Sequence, residues 1–273
     1  ADPSSGDWSE GDTLIVADGF GPHVFVCGAS GKEAVFSGQA ASSASKRYAV
    51  YPSSGFVSYD KMNVQVCLPE VQRTFVPLSV SVSSGDSFEM RQASAKISFS
   101  IASKDITEIR VEGTGGESLA GNAKLSFNSS GDPSLAAVGS GGRITVLPEE
   151  GSSFIGVGTV EASCFPADLK SGLDVTLVYD GGYAKTYAFH APASLDPGEI
   201  LDLGPVESGI ESKIIEVSFY NGTFQWPFES PAVSELSSSM TLGLGSFQKQ
   251  EVTLKLPESQ GGYIFKVYGT DGM

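Results

Sequence analysis

The sequence predicts an all-β protein made of tandem β-sandwich domains and a small C-terminal β module. Three observations support this fold class. Apolar and polar residues alternate with period two in one run after another, which is the pattern of half-buried strands. The 273 residues include 33 glycines and 14 prolines, an excess of turn formers over average usage. No stretch of the chain carries a convincing apolar stripe with the helical period.

The clearest strand pattern lies at residues 95–101, with the sequence AKISFSI. Side chains alternate between the two faces of a strand. Ile97, Phe99 and Ile101 therefore share one face, and Ser98 and Ser100 share the other. We expect the three apolar side chains to point into the core of the second domain.

A hairpin is predicted further along the chain. Residues 173–179 and 183–189 both alternate, and they flank an Asp-Gly-Gly sequence at 180–182. Glycine-rich pairs of this kind are typical of tight turns between antiparallel strands. Earlier in the chain, Pro52 and Pro69 each follow an apolar run, and proline lacks the N–H that a strand ladder needs. We therefore expect strands to end at Tyr51 and Leu68.

Two polar connectors rich in glycine and serine, at residues 79–86 and 204–209, suggest domain boundaries. They divide the chain into an N-terminal sandwich of residues 1–86, a second sandwich of residues 87–205, and a small β module of residues 206–273. A piece as short as the last buries too little apolar surface to be robust alone. We expect it to be the first part of a larger domain or to dock on the second domain through Phe224, Trp226 and Phe228.

Charge and motif content exclude several functions. The formal net charge of −15 leaves no basic surface with which to bind nucleic acid. No apolar run approaches the length needed to cross a bilayer as a helix. The two histidines, His23 and His190, stand far apart in sequence and beside no nucleophile motif. We therefore expect no enzyme activity, no catalytic residues, no metal site and no cofactor.

The three cysteines, Cys27, Cys67 and Cys164, leave two alternatives open. Their number is odd, and no two have the CxxC spacing of zinc or redox sites. Each lies in or beside an apolar run, so all three can pack as buried free thiols. The other alternative is a disulfide between Cys27 and Cys67.

The strongest candidate for recognition is a cluster of aromatic residues near the C-terminus. Its members lie within ten residues of one another: Phe219, Tyr220, Phe224, Trp226 and Phe228. These rings can form the core of a hairpin in the small C-terminal module. Alternatively, Tyr220, Phe224, Trp226 and Phe228 can form a patch that contacts a glycan or a protein, because flat aromatic rings stack well on such partners.

Several short motifs, in this order along the chain, resemble the fimbrillin-like family of Bacteroidetes cell-surface proteins. They are WSEGD at residues 8–12, RYAVYP at 47–52, VCLPEVQ at 66–72, AKISFSI at 95–101 and LDPGEILDL at 195–203. The resemblance covers residues 1 to about 205. It implies tandem sandwiches of the transthyretin-like type.

The same resemblance implies a function. Proteins of that family are exported to the cell surface or outer membrane, where they act as adhesion or pilus (fimbrial) subunits that assemble by β-strand addition. The expected partners are other pilus or surface subunits and host or bacterial glycans or proteins, with an N-terminal lipid anchor as the only link to a membrane. The alternative function is that of a surface glycan-binding protein in a nutrient-capture system.

Overall fold

The computed structural model describes residues 7–39, 46–60, 63–139, 142–180, 183–206, 210–218 and 249–254. Over these ranges the chain forms 22 strands and one three-residue 3-10 turn, Ser53–Gly55. The predicted all-β fold is therefore confirmed. No helix in the described ranges is long and apolar enough to cross a membrane.

The first nine strands belong to three different sheets. They are β1 Thr13–Asp18, β2 Gly21–Cys27, β3 Phe36–Gly38, β4 Arg47–Tyr51, β5 Phe56–Asp60, β6 Asn63–Leu68, β7 Val71–Gln72, β8 Ser79–Ser83 and β9 Arg91–Gln92. Strands β4 and β6 end at the residues before Pro52 and Pro69, as the sequence predicts.

The remaining strands cover the rest of the described chain. They are β10 Ala95–Ile101, β11 Ile106–Gly113, β12 Gly121–Phe127, β13 Pro133–Ala137, β14 Ile144–Val146, β15 Gly158–Cys164, β16 Ala167–Leu169, β17 Leu173–Tyr179, β18 Tyr183–Phe189, β19 Ala193–Leu195, β20 Ile200–Pro205, β21 Ile210–Ser218 and β22 Lys249–Leu254. Strands β17 and β18 pair antiparallel, which confirms the predicted hairpin.

The first sandwich packs a six-stranded sheet against a four-stranded one. The six-stranded sheet has the order β3-β2-β1-β4-β8-β9, and the four-stranded sheet has the order β13-β12-β6-β5. Tyr48, Val50 and Val80 from the first sheet meet Val64 and Val66 from the second in one core. Strands β12 and β13 come from residues beyond 86, so a hairpin from the second predicted unit completes the first sandwich.

The second sandwich packs the three-stranded sheet β15-β10-β20 against the seven-stranded sheet β22-β21-β18-β17-β11-β14-β7. Ile97, Phe99 and Ile101 are buried in its core while Ser98 and Ser100 are half-buried on the other face, so the predicted orientation of β10 is confirmed. A two-stranded sheet, β16-β19, completes the described fold.

Two strands of the predicted C-terminal module are described. β21 pairs antiparallel with β18, and β22 pairs with β21, so both continue the seven-stranded sheet of the second sandwich. The division of the chain at residues 86 and 205 stays a prediction.

All three cysteines are free thiols, with Cys27 and Cys164 buried and Cys67 half-buried. The alternative of a Cys27–Cys67 disulfide is therefore wrong, and the thiols pack as small apolar groups. Burial raises the pKa of Cys164 to about 12. Burial, together with the nearby charge of Glu70, also raises the pKa of Cys67.

Candidate functional site

The first sandwich is open along one side, where the six-stranded sheet extends beyond its cover. Ile15 of β1 pairs with Val50 of β4 on one side and with Val24 of β2 on the other. Paired residues point to the same face of a sheet, so Val24 faces the same side as Val50, which lies in the core. Val26, two residues after Val24 on the same strand, also faces that side. Ile15 is 9% exposed, but Val24 is 56% and Val26 is 43% exposed. The cover of this face therefore ends between β1 and β2.

The facing four-stranded sheet ends at β5 on this side. Within the described chain, β5 pairs only with β6, so its other edge presents backbone N–H and C=O groups without a ladder partner. Phe56 and Tyr59 of β5 pack against the core, whereas Val57, at an irregularity in the pairing, is 43% exposed. We call β5 together with Val24 and Val26 the open edge.

The open edge combines the two features that an added strand needs. The backbone of β5 can supply a row of main-chain hydrogen bonds, and Val24 and Val26 offer apolar surface to alternate side chains of an incoming segment. Natural sandwiches commonly protect such edges with charges, prolines or a covering loop. Asp60 is the one charged residue in β5, and it stands at the last position of the strand.

The opposite face of the six-stranded sheet is covered. Trp8 makes edge-to-face contacts with Phe36 and Tyr51, with ring centroids 4.9 Å apart in both pairs. Leu14 and Val16 lie beneath these rings in a separate small core. Trp8 thus packs against this small core beside the first strand. Burial raises the pKa of Tyr51 to about 12, and the negative charge of Asp12 contributes to the shift.

Gln72 links the two sheets of the second sandwich, β7 at the edge of the seven-stranded sheet and β15 of the three-stranded sheet, and reasoning from the sequence did not identify this role. Its Nε2 donates to the carbonyl oxygens of Pro69 at 3.0 Å and Ser163 at 2.8 Å. Its Oε1 accepts from the backbone N–H of Ser163 at 2.9 Å. The side chain therefore pairs with Ser163 as a neighbouring strand would. Its sequence neighbours, Glu-Val-Gln-Arg at residues 70–73, do not distinguish it from an ordinary surface residue.

The structure places the two histidines considered in the sequence in different sandwiches. His23 Nε2 lies 3.5 Å from Oδ1 of the buried Asp18 in the first sandwich, whereas His190 is exposed in the second. Glu149 and Glu150 are exposed in a turn. Within the ranges that the structure describes, no group of three His, Cys, Asp or Glu residues could hold a metal ion.

The predicted contact patch of Tyr220, Phe224, Trp226 and Phe228 lies outside the described residues. Its role as a glycan or protein contact stays a prediction.

No protein-family model matches the sequence, and no curated protein matches it. Among solved structures, the chain is similar to the crystal structure of a “putative cell adhesion protein” from Bacteroides ovatus, with 13% sequence identity and a TM-score of 0.48. The alignment covers 76% of this chain and 86% of that one. A similarity at this level assigns neither family nor activity, so the resemblance to fimbrillin-like proteins stays a prediction.

Proposed function

We propose that this protein is a non-enzymatic subunit of a cell-surface adhesion structure or pilus and that it joins other subunits by β-strand addition. The observation that supports the proposal is the open edge of the first sandwich. An extended segment of a neighbouring subunit would lie beside β5, pair with its free backbone groups and cover Val24 and Val26.

The energetics favour a strand over a flat protein surface as the partner. Main-chain hydrogen bonds to β5 satisfy groups that otherwise bind water, and each contributes about 0.5–1.5 kcal/mol net. Covering Val24 and Val26 adds a hydrophobic term of roughly 25 cal/mol per Å² of apolar surface removed from water. Neither contribution requires a catalytic residue or a cofactor.

Charge affects how readily copies of the chain meet. With a formal charge of −15, two copies repel each other at long range, and salt screens that repulsion. Association through an apolar edge should therefore strengthen as the salt concentration rises. An interface dominated by ion pairs would weaken instead.

The test is self-association of the purified chain, measured by sedimentation velocity over a wide concentration range and by electron microscopy for filaments. We expect the wild type to form larger species and the double variant Val24→Asp/Val26→Asp to remain monomeric, because two charges on the open edge oppose its burial. Both positions are exposed, so the double variant should fold with little loss of stability.

Val138→Asp is the matched control. Val138 is 50% exposed and follows β13, the strand at the other side of the same four-stranded sheet. This variant adds a charge at an equally exposed valine and should assemble like the wild type. Assembly of the double variant at wild-type levels, or a wild type that stays monomeric at every concentration and salt level, would contradict the proposal.

A further inference from the structure

In the second sandwich, β10 and β20 lie side by side and run parallel. β20 starts beside the beginning of β10, where Ile200 pairs with Lys96, and it ends beside the other end, where Pro205 pairs with Ser100. Because the two strands are parallel, the first residue of β10 and the last residue of β20 lie at opposite ends of their ladder.

The first sandwich is attached at the end where β10 begins. The chain enters β10 from β9, and it leaves β11 for β12; both β9 and β12 belong to the first sandwich. Leu119, just before β12, donates its N–H to the carbonyl oxygen of Gly142 at 2.8 Å and accepts from the N–H of Phe165 at 2.7 Å. Phe165 directly follows Cys164, which pairs with Ala95 at the start of β10. We call this the near end of the second sandwich.

The opposite end of the second sandwich, which we call the far end, is where β20 finishes. The N–H of Val206 donates to the carbonyl oxygen of Ser100 at 3.2 Å. The connection between β10 and β11, residues 102–105, lies at the same end, and there the N–H of Asp180 donates to the carbonyl oxygen of Asp105 at 2.9 Å. A pull between the first sandwich and the chain that follows β20 therefore acts along β10 and β20, in opposite directions on the two strands.

The direction of a pull decides how many contacts resist it at once. A pull along the strands strains all the backbone pairs of the β10–β20 ladder together. A pull across the strands at one end breaks the same pairs one after another. Forced unfolding depends on the rate of unfolding, and that rate is lower where many contacts must break in a single step.

Buried side chains add to the resistance of β20. Leu203 is 7% exposed and Val206 is 1% exposed, and both belong to the core of the second sandwich. β20 can slide along β10 only if these two side chains leave that core, which exposes apolar surface to water. β10 is fixed more firmly, since it pairs with β15 along its whole length and buries Ile97, Phe99 and Ile101.

We propose that β10 and β20 form a mechanical clamp that carries tension between the first sandwich and the chain after residue 205. The clamp consists of the backbone pairs between the two strands together with the side chains of Leu203 and Val206. The inference rests on the proposed function for the source of the tension, because a subunit of a surface adhesion structure is pulled along its chain. The resistance itself is a property of the folded chain and does not depend on strand addition at the open edge.

Three exposed positions allow a pull to be applied in either direction. Ser171 lies at the near end, just before β17, whose first residue, Leu173, pairs with the last residue of β11, Gly113. Lys104 lies at the far end, between β10 and β11, and Pro205 is the last residue of β20. All three side chains are exposed, so cysteines introduced there should change the free energy of unfolding little.

Force spectroscopy with optical tweezers tests the proposal in the full chain. A Cys67→Ser background removes the half-buried thiol and keeps the two buried ones, so handles attach only to the introduced cysteines. With handles at Ser171→Cys and Pro205→Cys, the pull runs along β20, and we expect a rupture force several-fold higher than with handles at Lys104→Cys and Pro205→Cys, where β20 is peeled from its last residue. Equal rupture forces in the two directions would overturn the proposal.

Substitutions in the core provide a second measurement. Leu203→Ala should lower the rupture force for the pull along β20, whereas Asp202→Ala, exposed on the same strand, should leave it unchanged. Leu177→Ala is the matched control, because Leu177 of β17 is buried in the same core but lies outside the clamp, and this variant should lower the force less than Leu203→Ala. An equal fall with both leucine variants, or no fall with Leu203→Ala, would overturn the proposal. If Leu203→Ala does not fold, the comparison of the two pulling directions decides, since it changes only exposed positions and Cys67.

Discussion

Replacing Gln72 by methionine tests the link between the two sheets of the second sandwich. Methionine keeps the length and approximate volume of the side chain but removes its hydrogen bonds. Ser163 is 1% exposed, so its N–H and C=O groups would be left buried without the partners they have in the wild type. Each such group costs about 1–3 kcal/mol, and we expect the free energy of unfolding to fall by about 2–5 kcal/mol. That is a large fraction of the stability of an ordinary domain.

The assay is equilibrium unfolding in urea, followed by far-UV circular dichroism, with the slope compared between variants. The control is Gln65→Met. Gln65 is half-buried on β6, next to the inward-facing Val64 and Val66, and its substitution should cost less than about 0.5 kcal/mol. A loss at Gln72 no larger than the loss at Gln65 would refute the reasoning.

Gln72→Glu adds a pH dependence with a definite sign. A carboxylate at this position would face the carbonyl oxygens of Pro69 and Ser163, to which Gln72 now donates. Burial and these acceptors favour the protonated acid, so the pKa of the introduced carboxyl group would be higher in the folded than in the unfolded state. The protein would bind an extra proton on folding, and the variant should regain stability as the pH falls below neutrality. A deficit relative to the wild type that is constant with pH would contradict this assignment.

Three further predictions follow from burial. Phe99→Ala should reduce the free energy of unfolding by about 3–5 kcal/mol, and Ser100→Ala by less than about 0.5 kcal/mol; equal losses in urea unfolding would disprove the register of β10. With a pKa of about 12, Cys164 should stay unlabelled by a maleimide in the native protein at pH 8, while the half-buried Cys67 reacts first; mass spectrometry of the labelled peptides checks the order. The pKa of Tyr51 is raised from 10.0 to about 12. The stability that its protonated hydroxyl contributes to the folded state is therefore present below pH 10 and lost as the pH rises towards 12. In urea unfolding, Tyr51→Phe should lose stability less steeply than the wild type over that pH range.

Local features of the fold could be predicted from the sequence. The alternation in β10 and the antiparallel pairing of β17 with β18 depend only on neighbouring residues and their side-chain directions. The ends of β4 and β6 follow from the missing N–H of Pro52 and Pro69. These patterns predict where strands run, but they do not say which strands lie side by side.

Long-range pairing explains what the sequence could not show. The hairpin β12–β13 alternates like its neighbours, yet it pairs with β6 and completes the other sandwich. The role of Gln72 depends on Ser163, 91 residues away. The open edge is likewise defined by where β5 ends relative to β2, and Val24 and Val26 look like ordinary core residues in the sequence.

Hydrogen exchange in the assembled protein tests the proposed function most directly. If another subunit adds a strand to the open edge, amides of β5, at residues 56–60, should exchange more slowly in the assembly than in the monomer, because free edge groups become paired. Residues 133–137 of β13, at the other side of the same sheet, should exchange at the same rate in both states. Unchanged exchange at residues 56–60 in an assembled sample would contradict strand addition at this edge.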